Sequence, residues 1–235
     1  MTTTSLRVLR TLGLGLVPLL VIPGQAQADS IWLTGAEAAR SSQYLYLGTV
    51  LPLGQHKLGQ GWVQRYWVDA IRYEYESGSQ TIRARGAGLE AAIGYQFPRP
   101  DGWFSIYGGA RWNNTNLSPD DPSNDSRGTH LRPKLQIEGD SALAGVWRIN
   151  GVASYIFDQK AYWGRLRLAH KPGDIAWGME AVRQGDPSYN ASQIGVFTDG
   201  WRAGETLRMG FKAGVRRSEG ENSPYAGVEF FLPLD

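Results

Sequence analysis

The chain has 235 residues, 42% of them hydrophobic and 11% aromatic, and a formal charge of +2. That length suits one domain, and Arg7 and Arg10 near the N-terminus account for the basic excess. The remainder is charge-balanced and has no run of one sign, which argues against nucleic acid as a partner.

The first element is a leader. Arg7 and Arg10 precede an apolar stretch over residues 12–22, then Pro23-Gly24 and the small-x-small triplet Ala26-Gln27-Ala28. This order predicts a secretory signal peptide over 1–28, cleaved near Ala28, and a mature domain over 29–235. The apolar run is too short to span a bilayer as a helix, which takes ~20 residues. No cysteine follows it, so the chain is not a lipoprotein, and no disulfide can brace the exported domain. A closed, hydrogen-bonded barrel supplies the missing restraint.

From residue 30 onward, period-two alternation and turn residues predict about twelve strands. They fall at 30–39, 43–51, 62–76, 81–97, 103–114, 129–143, 147–157, 162–170, 175–184, 190–198, 207–217 and 224–232. A ten-stranded count follows if the first two segments are not separate strands. The expected fold class is all-β: an antiparallel, up-and-down transmembrane β-barrel of the outer-membrane type. In the sixth strand Leu131, Pro133, Leu135 and Ile137 alternate with Arg132, Lys134, Gln136, Glu138 and Asp140. The eighth, eleventh and twelfth strands repeat the pattern, whereas 62–67 does not alternate cleanly and its faces stay unassigned. Glycines for bends and aromatics for interfacial girdles fit such a barrel, with Gly 30, Trp 9 and Tyr 11. A soluble periplasmic barrel with its faces exchanged would show the same periodicity. The scarcity of lysine, and aromatics near the strand ends (Trp103, Trp112, Trp147, Tyr155, Tyr162 and Trp163), favour the membrane.

An even strand number leaves both termini in the periplasm and predicts longer connections outside. The longest, 113–128, falls outside in this scheme; 53–61 is an exception, long yet periplasmic. Trp112, Asn113, Asn114, Asp120, Asp121, Asn124 and Arg127 form the candidate recognition loop. Its carboxylates lack EF-hand spacing, so a turn-rich, solvated loop is preferred over a Ca²⁺ site. The lumen-facing set comprises Glu90, Arg111, Arg132, Lys134, Glu138, Arg165, Arg167, Glu180, Arg208, Lys212 and Glu229, with Glu37 and Arg216 beside them. These charges either plug the lumen or line a polar channel. His56, His130 and His170 form no HxH or HxxxH pair, and GxSxG is absent, so neither a metal site nor a serine hydrolase is expected.

Several segments resemble one family. Gly35-Ala36-Glu37-Ala38-Ala39-Arg40 before Tyr44-Leu45-Tyr46-Leu47-Gly48, Arg72-Tyr73-Glu74-Tyr75-Glu76, Ala92-Ile93-Gly94-Tyr95-Gln96, Leu117-Ser118-Pro119-Asp120-Asp121-Pro122 with Arg127-Gly128, and Tyr162-Trp163 before Arg165-Leu166-Arg167 are similar to the cellulose biosynthesis protein BcsS family. The resemblance spans most of the mature chain. It implies a non-enzymatic accessory protein of bacterial cellulose biosynthesis in the outer membrane of a Gram-negative bacterium, assisting glucan export or surface organisation. On that reading the candidate loop contacts polysaccharide; the expected partners are the outer-membrane lipid that a barrel meets, cellulose and other cellulose-secretion proteins, and no cofactor is expected. The alternative is a modest-bore channel for oligosaccharides or small polar solutes.

Overall fold

The structure, a computed structural model, describes residues 30–187, 189–218 and 220–234. The expected leader and its expected cleavage site near Ala28 lie outside them. Twelve strands follow one another: β1(Ser30–Ala39), β2(Ser42–Pro52), β3(Gly61–Ser77), β4(Gln80–Arg99), β5(Gly102–Ser118), β6(Gly128–Ala142), β7(Trp147–Ile156), β8(Ala161–His170), β9(Ala176–Asp186), β10(Tyr189–Ala203), β11(Leu207–Ser218) and β12(Glu221–Leu234). Each pairs antiparallel with its sequence neighbours, and β1 also pairs with β12, from Ser30↔Leu234 to Ala39↔Tyr225. Closure leaves no edge strand, so the ladders satisfy the backbone within the wall, as a hydrocarbon surrounding requires.

Alternation decides the two faces. Outward stand Leu45, Val68, Ile93, Leu131, Leu135, Leu166, Met179, Ile194, Val196 and Val215, all exposed. A wall of exposed aliphatic side chains is stable only against lipid. Aromatic clusters flank this band near both ends: Trp147, His170 and Trp177 at one, Tyr155 and Phe157 at the other. Inward, the same strands carry charges and tyrosines.

The third strand alternates after all. Val63, Arg65 and Asp69 are buried in the lumen, with Trp67 on the same face, while Trp62 and Val68 point out. Its pattern is hard to read because both faces of 62–67 carry a mixture of apolar and polar residues.

The connections depart from expectation. At the end away from the chain termini most turns are tight, and the strands themselves reach further: β3, β4 and β5 have 17, 20 and 17 residues. Only the β5–β6 loop (residues 119–127) is long there. At the termini end the β2–β3 loop (residues 53–60) folds up under the barrel. Leu58 packs against the buried lumen cluster of Val50, Val63 and Tyr107, and the Gly59 amide donates to Gln96 Oε1 at 2.7 Å. This long loop at the termini end is thus anchored to side chains on the inner face of the barrel.

Candidate binding site in the barrel lumen

Two ion networks line the lumen. On the β3–β6 wall, Glu90 accepts from Arg65 and from Lys134 Nζ (2.5 Å), and Arg111 grips Asp69 with two parallel bonds of 2.7 and 2.8 Å. On the opposite wall Glu229 of β12 faces three cations: Arg165 Nη1 at 3.1 Å, Arg167 Nη1 at 2.9 Å and Lys212 Nζ at 3.4 Å. Arg167 also donates to Glu180 at 2.8 Å, and Lys212 to Glu37 at 2.6 Å. The Tyr225 hydroxyl and Gln193 Nε2 also donate to Glu180 and Glu37. Charges buried in this way persist because each is paired and hydrogen-bonded.

The lumen is not uniformly filled. In its termini half Val63 and Tyr107 are 0% and 1% exposed, and Ser105 and Gln96 are buried with them. Leu58 of the β2–β3 loop packs against this cluster, and Gln96 Nε2 donates to the Tyr107 hydroxyl at 3.2 Å. Toward the other end the walls part around a cavity of about 460 Å³ lined from all twelve strands, within the ~300–1,000 Å³ of small-molecule sites. Its lining includes six carboxylate and six cationic side chains, so it carries no net charge.

Aromatic side chains face one another across this cavity. Tyr46 and Trp67 stack with centroids 4.7 Å apart and planes 12° apart, and Trp67 Nε1 donates to the Tyr44 hydroxyl at 3.2 Å. Trp163 lines the cavity from β8, which stands six strands from β2 around the ring. Two glycines admit the rings: a Cβ on Gly48 would occupy the Trp67 ring, and one on Gly35 would lie 2.8 Å from Tyr46. Near the mouth Tyr73 and Tyr189 meet with centroids 6.5 Å apart.

The β5–β6 loop folds down rather than reaching out. Tyr75 at the end of β3 donates its hydroxyl to Asp121 Oδ2 (2.9 Å) and accepts from Asn124 Nδ2 (2.8 Å). Asp121 is buried, and Ser123 donates to it through both N and Oγ. These bonds, from Ser123 first and then Tyr75, hold its carboxyl below the usual aspartate range. Gln159 of the β7–β8 turn donates to Ser126 Oγ at 2.8 Å, and both residues line the cavity.

The candidate loop residues therefore separate. Asp120 and Arg127 form an exposed pair at 2.7 Å; Asp121 and Asn124 clasp the loop; Asn113 lines the cavity. Trp112 and Asn114 belong to β5 and stand on its outer face, the opposite side from the buried Thr115, so they are removed from the loop group. The lumen set lies on the inward face: Glu90, Arg111, Lys134, Glu138, Arg165, Lys212 and Glu229 line the cavity, and Arg132, Arg167 and Glu180 are buried below or beside it. Arg208 shares their face of β11 near the termini end. Sequence reasoning missed Arg65, Asp69, Tyr44, Tyr46, Trp67 and Trp163 as members of the site. The Tyr-x-Tyr-x-Gly spacing of β2, which places two rings and a glycine on one face, is the signal that could have found the aromatic side.

A closed twelve-stranded antiparallel barrel with a lipid-facing apolar band and a charged lumen defines the outer-membrane β-barrel class. Similar folds are the KdgM porin (15% identity, TM-score 0.50, covering 86% of this chain and 98% of that one) and the translocator domain of the autotransporter NalP from Neisseria meningitidis (9% identity, TM-score 0.54, 88% of each). No curated protein matches the chain. The model of the family "Cellulose biosynthesis protein BcsS" matches residues 31–234, so the chain belongs to that family.

Proposed function

We infer that the protein is a non-enzymatic outer-membrane accessory of cellulose biosynthesis that engages glucan at the cell surface in the mouth of a blind barrel. The termini end faces the periplasm and the β5–β6 loop faces outward, after removal of the leader near Ala28. The observation that carries this reading is the cavity: electroneutral, ringed by hydroxyls, amides and ion-paired groups, with Tyr44, Tyr46 and Trp67 across from Trp163. A pyranose has apolar C–H faces and a hydroxyl rim. Such rings fit between aromatic side chains, with hydrogen-bonding groups at their edges. An anionic sugar has no excess of cations to meet.

The histidines support a non-catalytic role. His130 Nε2 lies 2.7 Å from the Arg127 carbonyl, His170 sits between Trp147 and Trp177, and His56 abuts Gly61. Among the described residues none of the three shares a hydrogen bond with a hydroxyl or carboxylate that would make a nucleophile–base pair. The packing of Leu58 against Val50, Val63 and Tyr107 in the termini half favours a closed barrel over the channel alternative.

The test is a titration of the folded chain in detergent with a soluble cello-oligosaccharide, followed by tryptophan fluorescence. Saturable binding is expected, weakened about tenfold by Trp163→Ala, a loss of ~1.4 kcal/mol. Binding unaffected by that substitution would remove the lumen from the reading.

A further inference from the structure

A second site lies on the outside of the barrel. Register places Arg183 of β9 beside Ser192 of β10, and Ser192 beside Arg217 of β11. Their chain neighbours Val182, Gln193 and Arg216 are buried in the lumen, so this row faces outward. Arg183, Asn190, Ser192, Arg217 and Gly220 line a surface groove of about 340 Å³. Arg183 and Arg217 are exposed, and neither makes an ion pair or side-chain hydrogen bond among the described residues. That sets them apart from Arg65, Arg111, Arg165 and Arg167 of the lumen, each of which holds a carboxylate.

The surroundings specify the occupant. Strands two apart are separated by about 10 Å, a gap that two arginine side chains bridge to reach one anion from both sides. Like charges so placed repel unless an anion comes between them. Ser192 and Asn190 add a hydroxyl and an amide donor between the guanidinium groups. Two residues deeper on the same outward face lie Ala181, Ile194 and Val215, and Ile194 and Val215 are 65% and 52% exposed. The groove thus sits where the apolar band ends at the loop end.

We propose that this groove binds the phosphorylated headgroup of an outer-leaflet glycolipid, whose acyl chains lie along Ile194 and Val215. The paired arginines take the phosphate as charge-assisted forks, and the serine and asparagine take the sugar hydroxyls. The site is separate from the lumen cavity and does not depend on glucan binding.

The test is native mass spectrometry of the purified, detergent-solubilised chain with lipid A as the probe. The expected result is a retained lipid A adduct that Arg183→Ser/Arg217→Ser weakens about tenfold or more, and that dephosphorylated lipid A fails to form. An adduct of equal strength in the double variant overturns the proposal, as does equal binding of the dephosphorylated lipid. Displacement by equimolar inorganic phosphate would make free phosphate the ligand and also overturn it. Folding is checked by heat-dependent gel mobility. Should the serine variant not fold, Arg183→Lys/Arg217→Lys replaces it: this keeps charge but loses the forks, and weaker retention is again expected, unchanged retention the contrary result.

Discussion

Glu229 is the residue on which the second ion network turns. It faces Arg165, Arg167 and Lys212 while almost wholly buried. Glu229→Gln leaves those cations short of one negative charge in a confined lumen, a change that costs about 3–5 kcal/mol when a buried pair is broken. Urea unfolding in lipid vesicles should show a correspondingly lower midpoint; an unchanged midpoint would mean that solvent already screens the network. Gly48 acts by having no side chain: Gly48→Val must push Trp67 off the barrel wall and out of its stack with Tyr46. The expected readout is a shifted tryptophan emission and weaker cello-oligosaccharide binding, with the barrel still closed. The inward charges of β6, β8 and β11 were legible because Arg, Lys and Glu alternate there with aliphatics. Tyr44, Tyr46 and Trp67 were not, because an aromatic suits either a lipid girdle or a lumen, and only closure decides which.

Among the elements, two loops matter most. The β5–β6 loop is clasped through Asp121, whose carboxyl is held below the usual aspartate range by Ser123 and Tyr75. A depressed folded value stabilises the clasp at pH above the unfolded value, and that contribution is lost as pH falls through the folded value. The hydrogen-exchange protection factors of residues 119–127, which divide out the pH dependence of intrinsic exchange, should therefore stay constant from neutral pH down to the ordinary aspartate pKa of ~3.9 and fall only below it. Asp121→Asn should give fast exchange already at neutral pH; exchange matching the unsubstituted chain would show that Tyr75 and Asn124 suffice. At the other end, Leu58→Asp puts a charge into the cluster of Val50, Val63 and Tyr107. Expulsion of the β2–β3 loop is the expected outcome, seen as new cleavage by added protease within residues 53–60. All twelve strands could be placed from alternation and turn chemistry, to within a few residues at most ends. The two loops were misjudged for one reason: composition reports that a segment is polar and turn-rich, not whether it extends or folds back. Trp112 and Asn114 were drawn into the loop for the same reason, since β5 runs on to Ser118.

For the whole molecule, closure by β1 and β12 gives a wall with lipid on one side and ion pairs on the other. The alternation of two faces is the part of the fold most legible in sequence, because it needs only period two; that the apolar face meets lipid rested on the scarce lysines and the aromatics near the strand ends. Whether the lumen conducts is not written in the alternation, since a plug and a pore use the same charged residues. The side chains that bear on it, Leu58, Tyr107 and Gln96, come from three separate segments. The most direct measurement is single-channel conductance of the mature chain in planar bilayers, with and without a soluble cello-oligosaccharide. A blind barrel gives no discrete steps in either condition, while Leu58→Asp gives steps that the sugar reduces. Discrete conductance in the unsubstituted chain, blocked by the sugar, would contradict a closed surface receptor and make the protein a glucan pore.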